Sequence, residues 1–289
     1  MKLRIGACVL SVIAMCWVAA EPGGAEGKET ELSALSDSRS AGFDPWGATH
    51  HRWPSLVDLH IGQEEHYYYW SRPNQRSLLR ERTDTNPLNI WVGGDSLAGG
   101  PALGFRELVK EEGGWVYTED VRKSTGVVSD WYFDWRKHLE EEVADGPYEV
   151  IVLSIGGNDW QGFRGGPTEK GSAEWAEKYL QRIQEIFQIL DRPGRLLIWV
   201  GMPHFRVPFM VPLTDVVNAI TREVFSNGER SVWVNAASIV SPGGAWTKHV
   251  IRENGELLEV RTDDGTHYQS SGACLITDAV VAAVALKTG

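Results

Sequence analysis

Asn89-Ile-Trp-Val-Gly-Gly-Asp-Ser-Leu97 joins an apolar run to a glycine turn, and a helical pattern follows at Ala102 to Lys110. Ile90, Trp91 and Val92 leave no polar face, which is the composition of a strand covered on both sides. Gly93 and Gly94 let the chain turn sharply and bring backbone close to a ligand. Ser96 then stands at a strand end and helix start, with its own N–H directed outward. Two roles fit Ser96 at this point, a nucleophile or a helix-capping hydroxyl without chemistry.

The same alternation continues to the C-terminus. Apolar runs at Trp115–Val121, Glu149–Ile155, Leu196–Gly201 and Ser231–Asn235 predict four more strands. Amphipathic stretches at Asp130–Glu142, Ala173–Leu190, Leu213–Phe225 and Ser270–Lys287 predict the intervening helices. Buried strands alternating with helices imply an α/β fold, a three-layer α/β/α sandwich on a mainly parallel five-stranded sheet. Between the fifth strand and the last helix, Asn254-Gly255 sits between β-type runs and predicts a hairpin.

Upstream of this domain, residues 89–289, the chain has three parts. Lys2 and Arg4 precede an apolar run from Gly6 to Val18 and the small residues Ala19 and Ala20. That is the pattern of a secretory signal peptide over residues 1–20, and it predicts a secreted or periplasmic protein. The apolar run is short for a membrane span, and Met15 before Cys16 is too large for a lipid-attachment site. Residues 21–48 have the Gly, Ser, Glu and Ala content of a flexible linker. Residues 49–88 are dense in aromatics at Tyr67–Trp70, with arginines at 72, 76, 80 and 82. They predict an N-terminal extension, either a cap over the site or a segment packed on the side.

Composition narrows the function. The net charge is −11, and loss of residues 1–20 removes Lys2 and Arg4 and no acidic residue, leaving −13. Such a chain repels phosphate backbones, so nucleic acid is excluded as a partner. Cys8 and Cys16 leave with the signal, so Cys274 remains alone and is expected as a small buried residue. The thirteen Trp fit either a packed core or platforms for sugar rings. No His/Cys cluster has metal-ligand spacing, and His50-His51 stands alone, so neither metal nor cofactor is expected.

Three further loops carry chemistry-bearing residues at strand ends. Gly126 follows the second strand. Gly156-Gly157-Asn158-Asp159 closes the third, where Asn158 fits either an oxyanion donor or an Asx-turn. Asp264-Gly-Thr-His267 precedes the last helix, where an Asp three residues before a His can fix its tautomer and orientation. Asp263 is the neighbouring alternative, and the spacing favours Asp264.

In this order, the blocks Gly94-Asp95-Ser96, Gly126, Gly156-x-Asn158-Asp159 and Asp264-x-x-His267 resemble those of the SGNH (GDSL-type) hydrolase superfamily over roughly residues 89–285. Ser124–Trp135, Trp199–Pro203 and Arg261–Tyr268 look like a poorly characterised, mostly exported bacterial branch of it. The resemblance implies a flavodoxin-like SGNH fold. It implies Ser96 as nucleophile, His267 as base and Asp264 as its orienting carboxylate. The oxyanion hole it implies is made by Ser96 N–H, Gly126 N–H and the Asn158 side chain. Asp95, Asp134, Trp135 and Asp159, which flank these blocks, are expected to contact substrate. The activity implied is an exported serine esterase removing small acyl groups from a carbohydrate or envelope glycan. The alternatives are an O-acyltransferase with a glycan acceptor and a non-catalytic glycan-binding module.

Overall fold

The structure is a computed structural model that describes residues 69–70, 78–167, 169–251, 255 and 257–288. The signal peptide, the linker and most of the aromatic extension lie outside these residues. Five parallel strands run β3-β2-β4-β5-β6 across the sheet: β2 (Leu88–Gly94), β3 (Trp115–Val121), β4 (Val150–Ser154), β5 (Leu196–Val200) and β6 (Ser231–Val234). The sheet has a sixth strand that the sequence pattern did not reveal. β1 (Tyr69–Trp70) pairs antiparallel with the β6 edge, setting Tyr69 opposite Val234 and Trp70 opposite Trp233. Two residues are too short to show any periodicity.

Alternate strand residues feed two cores. Ile90, Val92, Val152, Ile198 and Val234 face α1 (Gly99–Glu111) and α6 (Ser270–Leu286). Trp91, Ile151, Leu153, Leu197 and Trp199 face α2 (Trp135–His138), α3 (Ala173–Leu190) and α4 (Val211–Asn227). A short α5 (Ala236–Val240) follows β6, and β7 (His249–Ile251) with β8 (Leu257–Glu259) forms the expected hairpin. Most of the described tryptophans are core: Trp91, Trp135, Trp175 and Trp199 are fully buried.

Three expectations shift. The helix expected over Asp130–Glu142 begins only at Trp135, because the Asp134 carboxylate accepts the N–H groups of Arg136 and Lys137 and caps it there. It continues as a π-turn, Leu139–Val143, and residues 130–133 become an exposed turn. Cys274 is exposed rather than buried, on the outer side of α6. Residues 78–88 lie at the amino ends of the strands, away from Ser96. There Arg80 pairs with Glu149 and donates to Pro87 O, and Arg82 donates to Gly113 O.

The Gly93-Gly94 turn is sterically required. Gly94 has φ +144°, and a Cβ there would sit 2.0 Å from the Ser154 carbonyl oxygen of the neighbouring strand. Gly94→Ala should therefore cost on the order of 3 kcal/mol, from backbone strain and overpacking together. Thermal unfolding should record this as a Tm lower by about 10 °C.

Candidate active site

The Ser96, Gly126 and Asn158 loops leave the sheet at the carboxyl ends of β2, β3 and β4, where open α/β sheets place their ligands, and the Asp264–His267 loop, between β8 and α6, meets them there. Ser96 opens a 3-10 turn, Ser96–Ala98, capped by Asp95. Its Oγ lies 2.8 Å from His267 Nε2, and His267 Nδ1 lies 2.7 Å from Asp264 Oδ2. The residues come together across 171 positions of chain. The Asp264 carboxylate also accepts the N–H groups of Thr266 (2.7 Å) and His267 (3.0 Å) and the Thr262 hydroxyl (2.6 Å). Burial opposes its charge, but the Thr262, His267 and Thr266 hydrogen bonds outweigh that and hold its carboxyl well below the usual range. It therefore stays ionised beside the imidazole. Asp263 points elsewhere, to Lys248 at 2.7 Å.

The second side of the site is the pair of loops after β3 and β4. Asn158 Nδ2 donates to Thr125 O at 2.9 Å, so one amide hydrogen is anchored and the other is free of that anchor. Thr125 is itself held: its hydroxyl donates to Arg122 O at 2.6 Å and accepts from Trp135 Nε1 at 2.9 Å. Ser124 takes a left-handed φ of 64° at the head of this loop. A Cβ at Gly126 would meet Asp159 Oδ1 at 2.2 Å, so only glycine fits there.

Asp95, Trp135 and Asp159 do not contact substrate as expected, because they are buried and offer a ligand no surface. Asp95 Oδ2 accepts from Gly156 and Gly157 N–H, each at 2.8 Å, while Oδ1 accepts from Leu97 N–H. It ties the Ser96 turn to the Asn158 loop. Asp159 Oδ1 accepts from Val128 N–H at 3.1 Å, and Oδ2 accepts from the Tyr179 hydroxyl at 2.8 Å. It ties the Gly126 loop to α3. Asp134 is spent on capping α2.

Burial pushes Asp95 up to about 6 against its three N–H donors. It pushes Asp159 up to about 7, with the charge of Asp95 adding to the effect. Both start from an ordinary value of 3.8. The folded chain therefore binds more protons than the unfolded one between about pH 4 and pH 7, and rising pH favours unfolding in that window. The lowered Asp264 acts below that window and does not mask the effect. Unfolding free energy should fall by roughly 2–4 kcal/mol from pH 4.5 to 7.5. Urea titrations should find that slope reduced in Asp159→Asn.

Arg261 went unnoticed as a site residue. It is fully buried, and no carboxylate among the described residues pairs with its guanidinium. It donates to Thr266 O (2.7 Å), His267 O (3.2 Å), His204 O (3.0 Å) and the Ser241 hydroxyl (3.3 Å). Three backbone carbonyls, two of them in the His267 loop, are thus fixed by one side chain. Its place three residues before Asp264 was the only sequence signal.

Among the described residues no group of three His, Cys, Asp or Glu gathers to hold a metal ion. None of the described helices is long and apolar enough to cross a membrane.

No curated protein matches the chain. Among solved structures, it is similar to an acetyl xylan esterase from Geobacillus stearothermophilus, with 14% identity, 69% of this chain and 95% of that chain covered, and a TM-score of 0.44. A carbohydrate acetylesterase family member from Sinorhizobium meliloti matches at 13% identity, 69% and 98% coverage and TM-score 0.45. A GDSL-like lipase from Bacteroides thetaiotaomicron matches at 14% identity, 72% and 92% coverage and TM-score 0.45. Residues 89–283, about two thirds of the chain, match the model of a family described as a protein of unknown function, DUF459. Matched over about two thirds of its length, the chain belongs to this family, DUF459.

Proposed function

We propose that the protein is an exported serine esterase that removes acetyl or another small acyl group from a carbohydrate. One observation carries the reading: the continuous hydrogen-bond chain from Ser96 Oγ through His267 to Asp264. With Nδ1–H donated to Asp264, the His267 Nε2 lone pair faces the serine hydroxyl. Ser96 Oγ attacks the ester carbonyl carbon as its proton passes to Nε2. The resulting oxyanion takes hydrogen bonds from Ser96 N–H, Gly126 N–H and Asn158 Nδ2. Collapse breaks the bond to the alcohol oxygen, which leaves with the proton from Nε2. Water then attacks the acyl-serine, gives its proton to Nε2, and the acid departs as Ser96 is restored.

Two features support the details. A small apolar cleft lined by Gly157, Trp160, Met202, Phe205 and Met210 lies next to the Asn158 loop, and its narrowness favours the smallest acyl groups over long chains. The His267 and Asp264 side chains are 41% and 50% exposed, which favours water over a sugar hydroxyl as acceptor and so hydrolysis over acyl transfer. The signal-like segment of residues 1–20 supports export. The test is acetate release from acetylated oligosaccharides and from p-nitrophenyl acetate. Asn158→Ala should retain measurable turnover at a rate about 10²–10³ lower, the cost of one oxyanion donor. Equal rates for the two proteins would contradict the role given to Asn158.

A further inference from the structure

Several arginines away from the site are matched with carboxylates. Arg106 pairs with Glu119, Arg136 with Glu185, Arg192 with Asp145 and Arg230 with Asp191. Three cations at the carboxyl end of the sheet are not. Arg164, Lys170 and Arg206 are exposed, and among the described residues none has a carboxylate within ion-pair distance. Each lies over a tryptophan instead: Arg164 over Trp131 (5.2 Å), Lys170 over Trp160 (5.7 Å) and Arg206 over Trp246 (5.3 Å).

Each pair has a member on, or bonded to, a loop that carries a site residue or flanks one. Trp131 stands on the Gly126 loop, and Trp160 follows Asn158 by two residues and lines the apolar cleft. Arg206 N–H donates to Gly265 O, next to Asp264. The cations leave much of the rings open, with Trp131 54% and Trp160 40% exposed. Two carboxylates at this end are engaged by other cations, Asp130 by Arg182 and Asp263 by Lys248. A chain of net charge −11 thus presents unneutralised cations and open indole faces at the mouth of its site. Such cations attract anions to the mouth, against the exposed carboxylates of Asp263 and Asp264 on its His267 side. The open rings offer flat apolar faces to sugar rings.

We propose that this mouth binds an O-acylated glycan carrying negative charge, with Arg164, Lys170 and Arg206 facing its anionic groups and Trp131 and Trp160 its sugar rings. This deepens the esterase reading and rests on it for the acyl group, while the charge preference can be read without catalysis. The experiment uses the whole protein in affinity electrophoresis through gels containing polygalacturonate or neutral glucomannan. In parallel, acetate release is followed from the O-acetylated form of each polymer.

Polygalacturonate should retard the protein and glucomannan should retard it far less, with the difference shrinking as salt screens the charges. The variant combining Arg164→Gln, Lys170→Gln and Arg206→Gln should lower the ratio of kcat/KM for the anionic polymer to that for the neutral one by about tenfold. All three positions are exposed, so its melting temperature should match the parent. Acetate release with equal or better use of the neutral polymer, or a ratio that the triple variant leaves unmoved, overturns the inference. Charge-dependent retardation without acetate release from either polymer supports the glycan surface and overturns the esterase reading instead.

Discussion

Ser96→Ala should lower kcat for ester hydrolysis by about 10⁴–10⁶, the loss expected if Ser96 is the nucleophile proposed for it. The size of the effect follows from what the hydroxyl does. Without Oγ there is no atom to carry the acyl group, and His267 Nε2 loses the proton donor 2.8 Å away. Ser96 N–H and Asn158 remain, so a residual rate above background persists from the oxyanion donors alone. The fold should survive, because Asp95 rather than Ser96 caps the turn through Leu97 N–H. Circular dichroism and a thermal melt of the variant should overlay those of the parent, while p-nitrophenyl acetate turnover collapses. If instead the variant loses activity only in proportion to lost folded protein, Ser96 is a structural serine.

Arg261→Ala is expected to damage both stability and turnover. It leaves the carbonyls of Thr266 and His204 without the guanidinium, while His267 O keeps the Thr262 N–H and hydroxyl. At roughly 1–3 kcal/mol for each buried group left unpaired, with lost packing added and water relieving part of it, the cost is about 2–4 kcal/mol. The melting temperature should fall by about 10 °C. Burial pulls the guanidinium below its ordinary value, while Tyr268 and Asp264 oppose that shift. A charge kept there against desolvation implies a positional requirement on the loop. Release of the His267 loop by an ångström should cost about 10²-fold in kcat. KM should change little, since Arg261 has no exposed surface to offer substrate. Arg261→Lys should restore stability in part but not kcat, because an ammonium cannot hold three diverging carbonyls as the planar fork does. A purely structural arginine would lower the yield of folded protein and leave kcat per folded molecule intact.

The parallel sheet was legible because its strands are covered on both faces. Ile90-Trp91-Val92 and Val150–Leu153 read as continuous apolar runs, and the helices between them read at their own period. The edge strand Tyr69–Trp70 was not legible, because pairing two residues to Val234 and Trp233 leaves no pattern in sequence. The helix start at Trp135 was missed for a different reason. Asp134 was read as a substrate contact when its local chemistry is that of an N-cap.

The Ser96–His267–Asp264 convergence could be anticipated, since Ser96 sits at a carboxyl strand end of the parallel sheet and Asp264 and His267 lie in the loop that leads into the last helix. Burial could not be anticipated with the same ease. Asp95 and Asp159 have the residue type of a substrate contact and the environment of a core peg, and only packing distinguishes these. Arg261 was hidden because its partners are backbone carbonyls, which carry no sequence signature.

The most direct test of the central claim, that Ser96 is an activated nucleophile, is covalent labelling of the whole protein with a fluorophosphonate, followed by intact mass measurement and peptide mapping. The account predicts addition of one phosphonyl group per chain, on the peptide containing Ser96, with loss of esterase activity in proportion and no labelling of Ser96→Ala or His267→Ala. A folded protein that takes no label, or takes it equally in the Ser96→Ala variant, would contradict it.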